Sequence, residues 1–417
     1  MIAPPGWTAG VVGDTVESIR AGFSATGGAP RDSETQIAVL KTGAVSTGLF
    51  NHMANKAVIA DDLARVQVEV RAGTIVFGRK NSEESVGASA YIEASHPRLY
   101  LSDLLWEIQP NSMTDPRWLS YALQSDTIRQ RIRNAATGTQ STMKNISQDR
   151  LTHLSLSIPP LQEQRKIAEL LHAWDDAIAR SIALKCSLDR RRDWLRRSVL
   201  TGQVRLMGFV SAWSTAKLSE LLTEHGCKST GEQDVYSVSV HKGLINQIEH
   251  LGRSFAAADT SNYNLVRPGD VVYTKSPTGE FPLGILKQST AGKDVIVSPL
   301  YGVFTPTTDA LGTILNALFE SPGFARNYLN PLVQKGAKNT MAITNRRFLE
   351  GLVTYPTDPE EQSAIADILD ASAEEITTLN RAIAALRTQK QGLMQKLLTG
   401  EVRVNVETDQ DSGRDQQ

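Results

Sequence analysis

The sequence has little cysteine and no long apolar run. Cys186 and Cys227 are its two cysteines in 417 residues, too few for the disulfide framework of a small secreted domain. No apolar run approaches the roughly 20 residues that span a bilayer. The opening residues, MIAPPGWTAG, lack the basic and apolar regions of a signal peptide. We therefore expect a cytoplasmic protein that does not contact a membrane.

An excess of positive charge is also missing. Lys and Arg number 44 against 45 Asp and Glu, a formal net charge of −1. A protein that binds DNA alone usually carries surplus cations that neutralise phosphates. Residues 158–205 have a local surplus of four, from 10 basic and 6 acidic side chains. Binding to DNA would therefore require partners that supply much of the neutralising charge.

Catalytic signatures are absent from the sequence. It has no G-x-x-x-x-G-K-[ST] phosphate loop, and the glycine-rich run GFSATGG (22–28) is predicted to be a loop. The strand-like run GDVVYTK has no acidic residue two positions before Lys275, as a metal nuclease site would need. His225 and Cys227 have no second pair of ligands, so a zinc site is not predicted. We expect no catalytic residue and no metal site in this chain.

The chain instead contains one long unit written twice. An offset of 198 aligns residues 158–206 with 356–404 without a gap, and 14 of the 49 pairs are identical, including LTGQVR and LTGEVR. Further back the offset becomes 196, where AGTIVFGRK (72–80) matches PGDVVYTKS (268–276). A period of about 200 residues predicts two similar lobes and not a solenoid of short repeats.

Each repeat begins with strand-like runs and ends in a long helical segment. The stretches DPRWLSYALQSDTIRQRIR (115–133) and DALGTILNALFESPGFARNYL (309–329) are predicted to be helices opened by aspartate. The predicted fold class is α+β, with two mixed α/β lobes, two long antiparallel coiled-coil helices and a pseudo-twofold axis. The predicted boundaries are lobes at 1–157 and 206–357, helices at 158–205 and 358–404, and a disordered acidic tail at 405–417.

Both long helices carry apolar residues at alternating spacings of four and three, which is typical of a coiled-coil seam. Arg192 and Lys390 occupy equivalent seam positions and are interpreted as residues that fix the register of the helix pair. The predicted seam residues are Ile167, Leu171, Trp174, Ile178, Leu188, Leu195, Ile365, Leu369, Ile376, Leu379, Ile383, Leu386 and Leu393.

The ends of these helices have their own signals. Asp358 is a predicted N-cap, with Pro359 at the first helical position and Glu361 three residues after the cap. Gly202 and Gly400 follow the last seam residues, where a left-handed glycine closes a helix. The duplicated LTG motif is therefore predicted to be a helix stop that is used twice.

Polar loops stand at matching places in both lobes. They contain the residue types that contact base edges and phosphates, although any single member could equally be part of a solvated turn. The basic run DRRRDWLRR (189–197) could follow a DNA backbone, but is more typical of a solvated helix face or a partner contact. The candidate DNA-binding residues are Arg79, Lys80, Asn81, Ser82, Thr139, Gln140, Ser141, Lys144, Lys275, Ser276, Thr278, Lys335, Lys338, Asn339 and Thr340.

The ordered set of motifs, present in duplicate, resembles the specificity subunits of type I restriction–modification systems over nearly the whole chain. The resemblance rests on IPPLQEQRKIAELLHAWDDAIA leading to LTGQVR, and on DPEEQSAIADILDASAEEI leading to LTGEVR. The second copy departs at its entry, where YPTDPEEQ replaces IPPLQEQ, but it has its own helix start.

The resemblance implies that each lobe is a target-recognition domain for one half of a bipartite double-stranded DNA site. It implies that the helices set the spacing and dock two adenine-methylating modification subunits, and that an ATP-dependent restriction subunit is a further partner. S-adenosylmethionine, ATP and Mg²⁺ would be used by those partners, and this chain would bind no cofactor. A coiled-coil scaffold for protein binding, or a fused nuclease or methyltransferase with an unrecognised site, remains the alternative.

Overall fold

The computed structural model of the chain describes residues 3–138, 143–240, 242–248, 259–275, 279–335 and 341–405. The chain divides into two compact units. Unit 1 comprises Met1–Arg180 and Ile383–Gln417, and unit 2 comprises Ser181–Ala382. Each unit therefore contains residues from both sequence repeats. Apart from Asn405, the predicted disordered tail at 405–417 lies outside the described residues.

Unit 1 is built around two four-stranded sheets. Its strands are β1 (Thr8–Val11), β2 (Val16–Ala21), β3 (Ala38–Leu40), β4 (Asn55–Ala57), β5 (Glu69–Val70), β6 (Ile75–Gly78), β7 (Lys80–Asn81), β8 (Ser89–Tyr91), β9 (His96–Tyr100), β10 (Leu105–Pro110), β11 (Lys144–Asn145) and β12 (Ser155–Ile158). One sheet has the order β2-β10-β6-β8 and the other β4-β3-β9-β5, where β3 and β9 are parallel. β1 pairs with β12 and β7 pairs with β11, both antiparallel.

Unit 2 repeats part of this plan. Its strands are β13 (Ser214–Lys217), β14 (Leu222–Glu224), β15 (Tyr236–Ser239), β16 (Gly243–Asn246), β17 (Asn264–Val266), β18 (Val271–Thr274), β19 (Ile285–Gln288), β20 (Val295–Val297), β21 (Gly302–Pro306), β22 (Gln334–Lys335), β23 (Met341–Ala342) and β24 (Leu352–Tyr355). The sheet β14-β21-β18-β19 corresponds to β2-β10-β6-β8. The pair β13–β24 corresponds to β1–β12, and the pairs β15–β16, β17–β20 and β22–β23 complete the unit.

The helices are α1 (Pro116–Gln124), α2 (Asp126–Ala135), α3 (Gln148–Thr152), α4 (Leu161–Val199), α5 (Leu218–Leu221), α6 (Asp309–Phe319), α7 (Pro322–Leu329), α8 (Asn345–Leu349) and α9 (Pro359–Thr399). Short 3₁₀ segments lie at Val12–Thr15, Thr42–Ala44, Ala60–Arg65 and Asn330–Leu332. The two stretches predicted as single helices are each divided in two, and this part of the prediction is wrong.

The division occurs at a serine in both stretches. Ser125 and Ser321 are extended residues whose hydroxyls cap the amides of Ile128 and Phe324, so each opens a new helix. Asp115 caps α1 as predicted, but Thr308 caps α6 and Asp309 is its first residue. In both stretches the serine inside the apolar-periodic run is therefore an N-cap that opens a second helix.

The long helices α4 and α9 have 39 and 41 residues. In unit 1 the ammonium of Lys390 on α9 contacts Asp175 on α4. The guanidinium of Arg403, beyond the end of α9, contacts Glu163 near the start of α4. Residue numbers therefore rise along one helix where they fall along the other. In unit 2 Arg191 contacts Glu375 and Arg205 contacts Glu361, in the same sense. The helix segments therefore run antiparallel within each unit, and the predicted α+β fold with two long antiparallel helices is confirmed.

The predicted seam residues face the protein in both units. Seven are buried and six are half-buried, and none is exposed. The core of unit 1 combines Ile167 and Leu171 of α4 with Leu397 of α9, packed on the first sheet. The core of unit 2 combines Ile365 and Leu369 of α9 with its own sheet. The seven buried seam residues are Ile167, Leu171, Ile178, Leu188, Ile365, Leu369 and Ile383, and the half-buried ones are Trp174, Leu195, Ile376, Leu379, Leu386 and Leu393.

The glycines after the long helices adopt left-handed backbone angles, with φ of +70° at Gly202 and +72° at Gly400. We expect Gly202→Ala to lower the free energy of unfolding by about 1–2 kcal/mol, the strain of a Cβ in this region. Gly400→Ala should cost more, because its Cβ would also overlap the ring of Pro4. Thermal and urea denaturation of the purified chain would measure both losses.

Gly392 is the matched control for this prediction. It lies inside α9, and a Cβ there would meet no atom within 4 Å. Gly392→Ala should therefore stabilise the chain by about 0.5–1 kcal/mol, since alanine is the better helix former. Equal effects of Gly202→Ala and Gly392→Ala would show that the left-handed caps carry no strain.

Candidate nucleic-acid interface

A buried glutamate at the start of α4 holds the end of the described chain in unit 1. The guanidinium of Arg403 donates to Glu163 from Nε at 2.7 Å and from Nη2 at 2.8 Å. The indole Nε1 of Trp7 donates to the same carboxylate at 2.9 Å, and Arg403 lies 5.6 Å from the centre of the Trp7 ring. Glu163 is 3% exposed. We call this cluster the unit 1 clamp.

Unit 2 contains the same cluster, the unit 2 clamp. Arg205 donates to Glu361 from Nε at 2.7 Å and from Nη2 at 2.8 Å, and Trp213 Nε1 donates to it at 3.2 Å. Glu361 is fully buried. Charge-assisted bidentate pairs of this kind are the strong hydrogen bonds of proteins. The arginine of each LTG-x-V-R motif therefore binds the glutamate that opens the other long helix.

The two clamps were missed from the sequence, although a signal was present. Glu163 and Glu361, like Arg205 and Arg403, are identical pairs at the offset of 198. Polar residues that are identical in both copies indicate specific contacts, because a helix face that meets only solvent does not require identical residues. The predicted role of Glu361 as the third residue of a helix start is incomplete, because its carboxylate binds Arg205 and Trp213. Asp358 does cap α9, accepting from the amide of Glu360 at 2.9 Å.

The glutamine that follows each glutamate attaches the long helix to its lobe. Gln164 accepts from the amide of Asp115, the cap of α1, at 2.8 Å, and it donates to the carbonyl of Pro159 at 2.9 Å. Gln362 accepts from the hydroxyl of Thr308, the cap of α6, at 2.8 Å, and it donates to the carbonyl of Pro356 at 2.8 Å. The dipeptide Glu-Gln thus fixes the helix start to the lobe in both units.

The two cations of the seam also join helix to lobe. Lys390 Nζ donates to Asp175 Oδ1 at 2.6 Å, and the hydroxyl of Tyr121 on α1 donates to the other oxygen of Asp175 at 2.7 Å. Burial, with Asp175 alongside, raises the pKa of Tyr121. Lys390 therefore fixes α9 against α4, in line with its interpretation as a register residue. Arg192 differs, because it binds Glu320 at the end of α6 at 3.1 Å and not a residue of α9.

Glu320 collects three cations in unit 2. Arg192, Arg196 and Lys287 approach its carboxylate at 3.1, 3.0 and 3.2 Å. Burial alone would raise the pKa of Glu320, but Lys287 and the arginines hold it below the ordinary value. Arg191 pairs with Glu375. Three arginines of the basic run at 189–197 are thus engaged within unit 2, which weighs against a role for the run in following a DNA backbone.

The candidate DNA-binding loops of unit 1 meet in the ribbon β7–β11. Asn81 is paired with Lys144, and Lys80 is paired with Asn145. The two polar segments around residues 79–85 and 138–145 are 60 positions apart in sequence, and the structure joins them in one element. All four side chains of the ribbon are half-buried. The ribbon presents two lysines and two asparagines within a few residues.

The other described candidates of unit 1 serve the turns beside the ribbon. Arg79 Nε donates to the carbonyl of Asp103 at 2.5 Å, and its Nη2 lies 4.0 Å from the Asp103 carboxylate. The carbonyl of Ser82 accepts from the amides of Ser85 and Val86 at 3.1 and 2.8 Å. Arg79 is therefore partly neutralised by its neighbour, whereas Lys80 has no ion pair among the described residues.

Unit 2 has one candidate whose side chain the structure describes. Lys275 directly follows β18, as Arg79 follows β6. Desolvation lowers the pKa of Lys275, and Glu224 partly opposes that shift. Glu224 also accepts from the amide nitrogen of Asn345 at 2.6 Å. Lys335 lies in β22 opposite Met341, and the remaining candidates lie outside the described residues: Thr139, Gln140, Ser141, Ser276, Thr278, Lys338, Asn339 and Thr340.

The pair His225 and Cys227 is used structurally. His225 Nε2 lies 3.1 Å from Asp270 Oδ2, and its Nδ1 accepts from the amide of Cys227 at 3.1 Å. Both ring nitrogens are therefore occupied, and neither is available to activate the thiol. Across the described parts of the chain, no group of three or more His, Cys, Asp or Glu side chains is placed to hold a metal ion. Among the same residues, no helix is long and apolar enough to span a membrane.

The fold is that of specificity subunits of type I systems. The S subunit of the type I restriction–modification system from M. genitalium has a TM-score of 0.56 and 14% identity, with 95% of this chain and 98% of that chain covered. A chain from a structure on complex assembly and conformational transition of the type I R-M system has a TM-score of 0.55 and 16% identity, with 96% and 100% covered. These likenesses concern the fold.

Sequence comparison agrees. Residues 51–185 match the family model of the type I restriction modification DNA specificity domain. The EcoEI specificity subunit of Escherichia coli is 28% identical over 168 residues, which are 39% of this chain but 28% of that relative's length. The putative MjaX specificity subunit of Methanocaldococcus jannaschii is 23% identical, with 96% and 95% covered. The resemblance predicted from the duplicated motifs is confirmed: the chain is similar to specificity subunits of type I restriction–modification systems in sequence and in fold.

Proposed function

We propose that each unit reads one half of a bipartite double-stranded DNA target. The observation that carries this proposal is that the same plan exists twice, since each unit has its own central sheet of equivalent strand order and its own clamp. A single-site reader would need one such set. Two similar readers in one chain correspond to two half-sites, with a gap that neither unit reads.

The long helices are proposed to set that gap and to dock two modification subunits. At 1.5 Å per residue, the 39 residues of α4 span roughly 58 Å, and one turn of DNA spans about 34–36 Å. Fixed attachment of the helices to the lobes supports this role. The Glu-Gln dipeptides and the seam cations tie each lobe to helix segments, so that a lobe cannot turn without moving its helix.

The chemistry is proposed to belong to the partners. Modification subunits would use S-adenosylmethionine to methylate adenine, and a restriction subunit would use ATP and Mg²⁺, so that this chain itself is not an enzyme and binds no cofactor. The net charge of −1 supports such an assembly, because phosphate neutralisation is left largely to other subunits. A function on chromosomal and foreign DNA implies the cytoplasm.

Selection from random DNA tests this function. The chain would be purified with its modification subunits, and the complex would select from duplexes that contain 40 randomised base pairs. We expect a motif of two short specified segments separated by a fixed unspecified gap, and methyl transfer to adenine within it. The chain incubated with S-adenosylmethionine but without partners should transfer no methyl group. A continuous motif, or no motif, would contradict the assignment of two half-sites.

A further inference from the structure

The ribbon of unit 1 has two faces, and their side chains differ in the hydrogen bonds that they make within the chain. Residues directly opposite each other in an antiparallel pair point to the same face, and their neighbours point to the other. Lys80 and Asn145 therefore share one face, which we call the reading face. Asn81 and Lys144 share the other face, the inner-turn face.

Side chains of the inner-turn face are bonded to their own chain. Lys144 Nζ donates to the carbonyl of Gly138 at 3.1 Å. Asn81 Oδ1 accepts from the amide of Ser82 at 2.8 Å. Both residues shape the turns at the ends of the ribbon, and their polar groups are committed to that use.

The reading face is the opposite case. Asn145 Oδ1 is buried and has no hydrogen-bond donor in the described chain. Its amide nitrogen and the ammonium of Lys80 likewise have no protein partner among the described residues. The backbone of Asn145 is nevertheless held firmly, because Asn145 and Thr137 exchange two amide–carbonyl bonds of 2.8 Å. A fixed backbone thus carries an amide side chain whose acceptor and donor are both unused.

We propose that Asn145 reads an adenine in the half-site of unit 1, with Lys80 beside it on a phosphate. This inference rests on the proposed function. The major groove admits a two-stranded β-ribbon, and the adenine edge offers there an N7 acceptor next to an N6 donor. A carboxamide matches that edge with two hydrogen bonds. Guanine presents two acceptors, N7 and O6, and leaves the amide oxygen without a donor.

Binding would also correct a defect of the free protein. A buried acceptor without a donor is unfavourable, whereas the same acceptor bonded to DNA is not. A change of the Asn145 side-chain rotamer that delivers the amide to a base removes the unpaired group. The unpaired Oδ1 of Asn145 therefore favours the DNA-bound conformation. A base that offers no donor to this atom does not give that gain in binding free energy. The preference for adenine follows from that difference.

The test uses the complex with the modification subunits and the same library of randomised duplexes. Asn145→Ala should lose about 10- to 100-fold of the preference for adenine at one position, with the half-site of unit 2 unchanged. Lys80→Ala should weaken binding to all sequences alike. It should also lower by about one the slope of the logarithm of affinity against the logarithm of salt concentration. Asn134→Ala, which truncates an exposed asparagine of α2 outside the ribbon, is the control and should keep every base preference.

Asn145→Asp keeps the size of the side chain and covers the case in which the alanine variant does not fold. Its carboxylate accepts but does not donate, so the favoured base should change from adenine to cytosine, whose N4 is a donor. Unaltered base preference in a folded Asn145 variant would overturn the inference, as would an effect of equal size from Asn134→Ala. Failure of the proposed function would give a different result, since the complex without any substitution would then select no bipartite motif.

Discussion

Replacing Arg205 with alanine should lower the free energy of unfolding of unit 2 by about 3–5 kcal/mol. Among the described residues, the change leaves Glu361, which is fully buried, with one side-chain donor, the indole of Trp213 at 3.2 Å. Breaking a buried ion pair by removing one partner costs this much because the remaining charge is uncompensated. For a unit of about 200 residues, the midpoint of thermal unfolding should fall by roughly 6–20 °C. Calorimetry and urea denaturation of the full chain would measure it.

A double variant separates the charge from the packing. Arg205→Met combined with Glu361→Met removes both charges and keeps the volume, and such replacements are often neutral or stabilising. The double variant should therefore be far more stable than Arg205→Ala. Arg403→Ala in unit 1 should act in the same direction with a smaller effect, because Arg403 is 41% exposed. A loss below 1 kcal/mol for Arg205→Ala would show that solvent already screens the unit 2 clamp.

Exchange of a whole lobe should change one half of the DNA target and leave the other intact. The structure suggests a replacement of residues 8–157 by those of another specificity subunit, because this segment begins with β1, ends within its partner β12, and leaves Trp7, Glu163 and Arg403 in place. Each wrong base pair costs about 1–3 kcal/mol, so several wrong pairs abolish recognition of the former half-site. Sequencing of methylated positions in the host genome would show the new half-site and an unchanged gap.

The reciprocal exchange is the control for this experiment. Replacement of residues 214–355, from β13 to β24, keeps the unit 2 clamp and should change the other half-site alone. The two exchanges together should give a target in which both halves are new and the gap is retained. Any single exchange that altered both halves would refute the assignment of one reader to each unit.

The sequence predicted best what depends on neighbours in the chain. Pro359 after Asp358 and Gly400 mark the start and the end of α9 to within a residue, and α4 ends three residues before Gly202. The strands β6 and β18 lie in the runs AGTIVFGRK and PGDVVYTKS, whose alignment also predicted that they are equivalent. Periodicity and caps are local properties, and they can be read without a three-dimensional structure.

Contacts over long separations could not be predicted in this way. Glu163 and Arg403 are 240 positions apart, and nothing in the pattern around either residue names the other as its partner. Arg192 was assigned to the helix pair because its spacing fits the seam, but its guanidinium binds the carboxylate of Glu320 at 3.1 Å. The ribbon β7–β11 likewise joins two loops that the sequence showed only as separate polar runs. Pairing of distant charges is decided by packing, which one sequence does not reveal.

The crossed origin of the clamps has a consequence for inheritance. Unit 1 is closed by an arginine of the second repeat, and unit 2 by an arginine of the first. Genetic recombination with a crossover inside the coding region of α4 joins the N-terminal lobe of one parent to the C-terminal lobe of another. With a crossover after Glu163, the unit 1 clamp combines Trp7 and Glu163 of one parent with Arg403 of the other, whereas the unit 2 clamp comes whole from the second parent. The unit 1 clamp then forms only if both parents have the same Glu, Arg and Trp. Retention of these three side chains would let lineages exchange lobes freely, and the unit 1 clamp would act as the common joint that makes the lobes interchangeable.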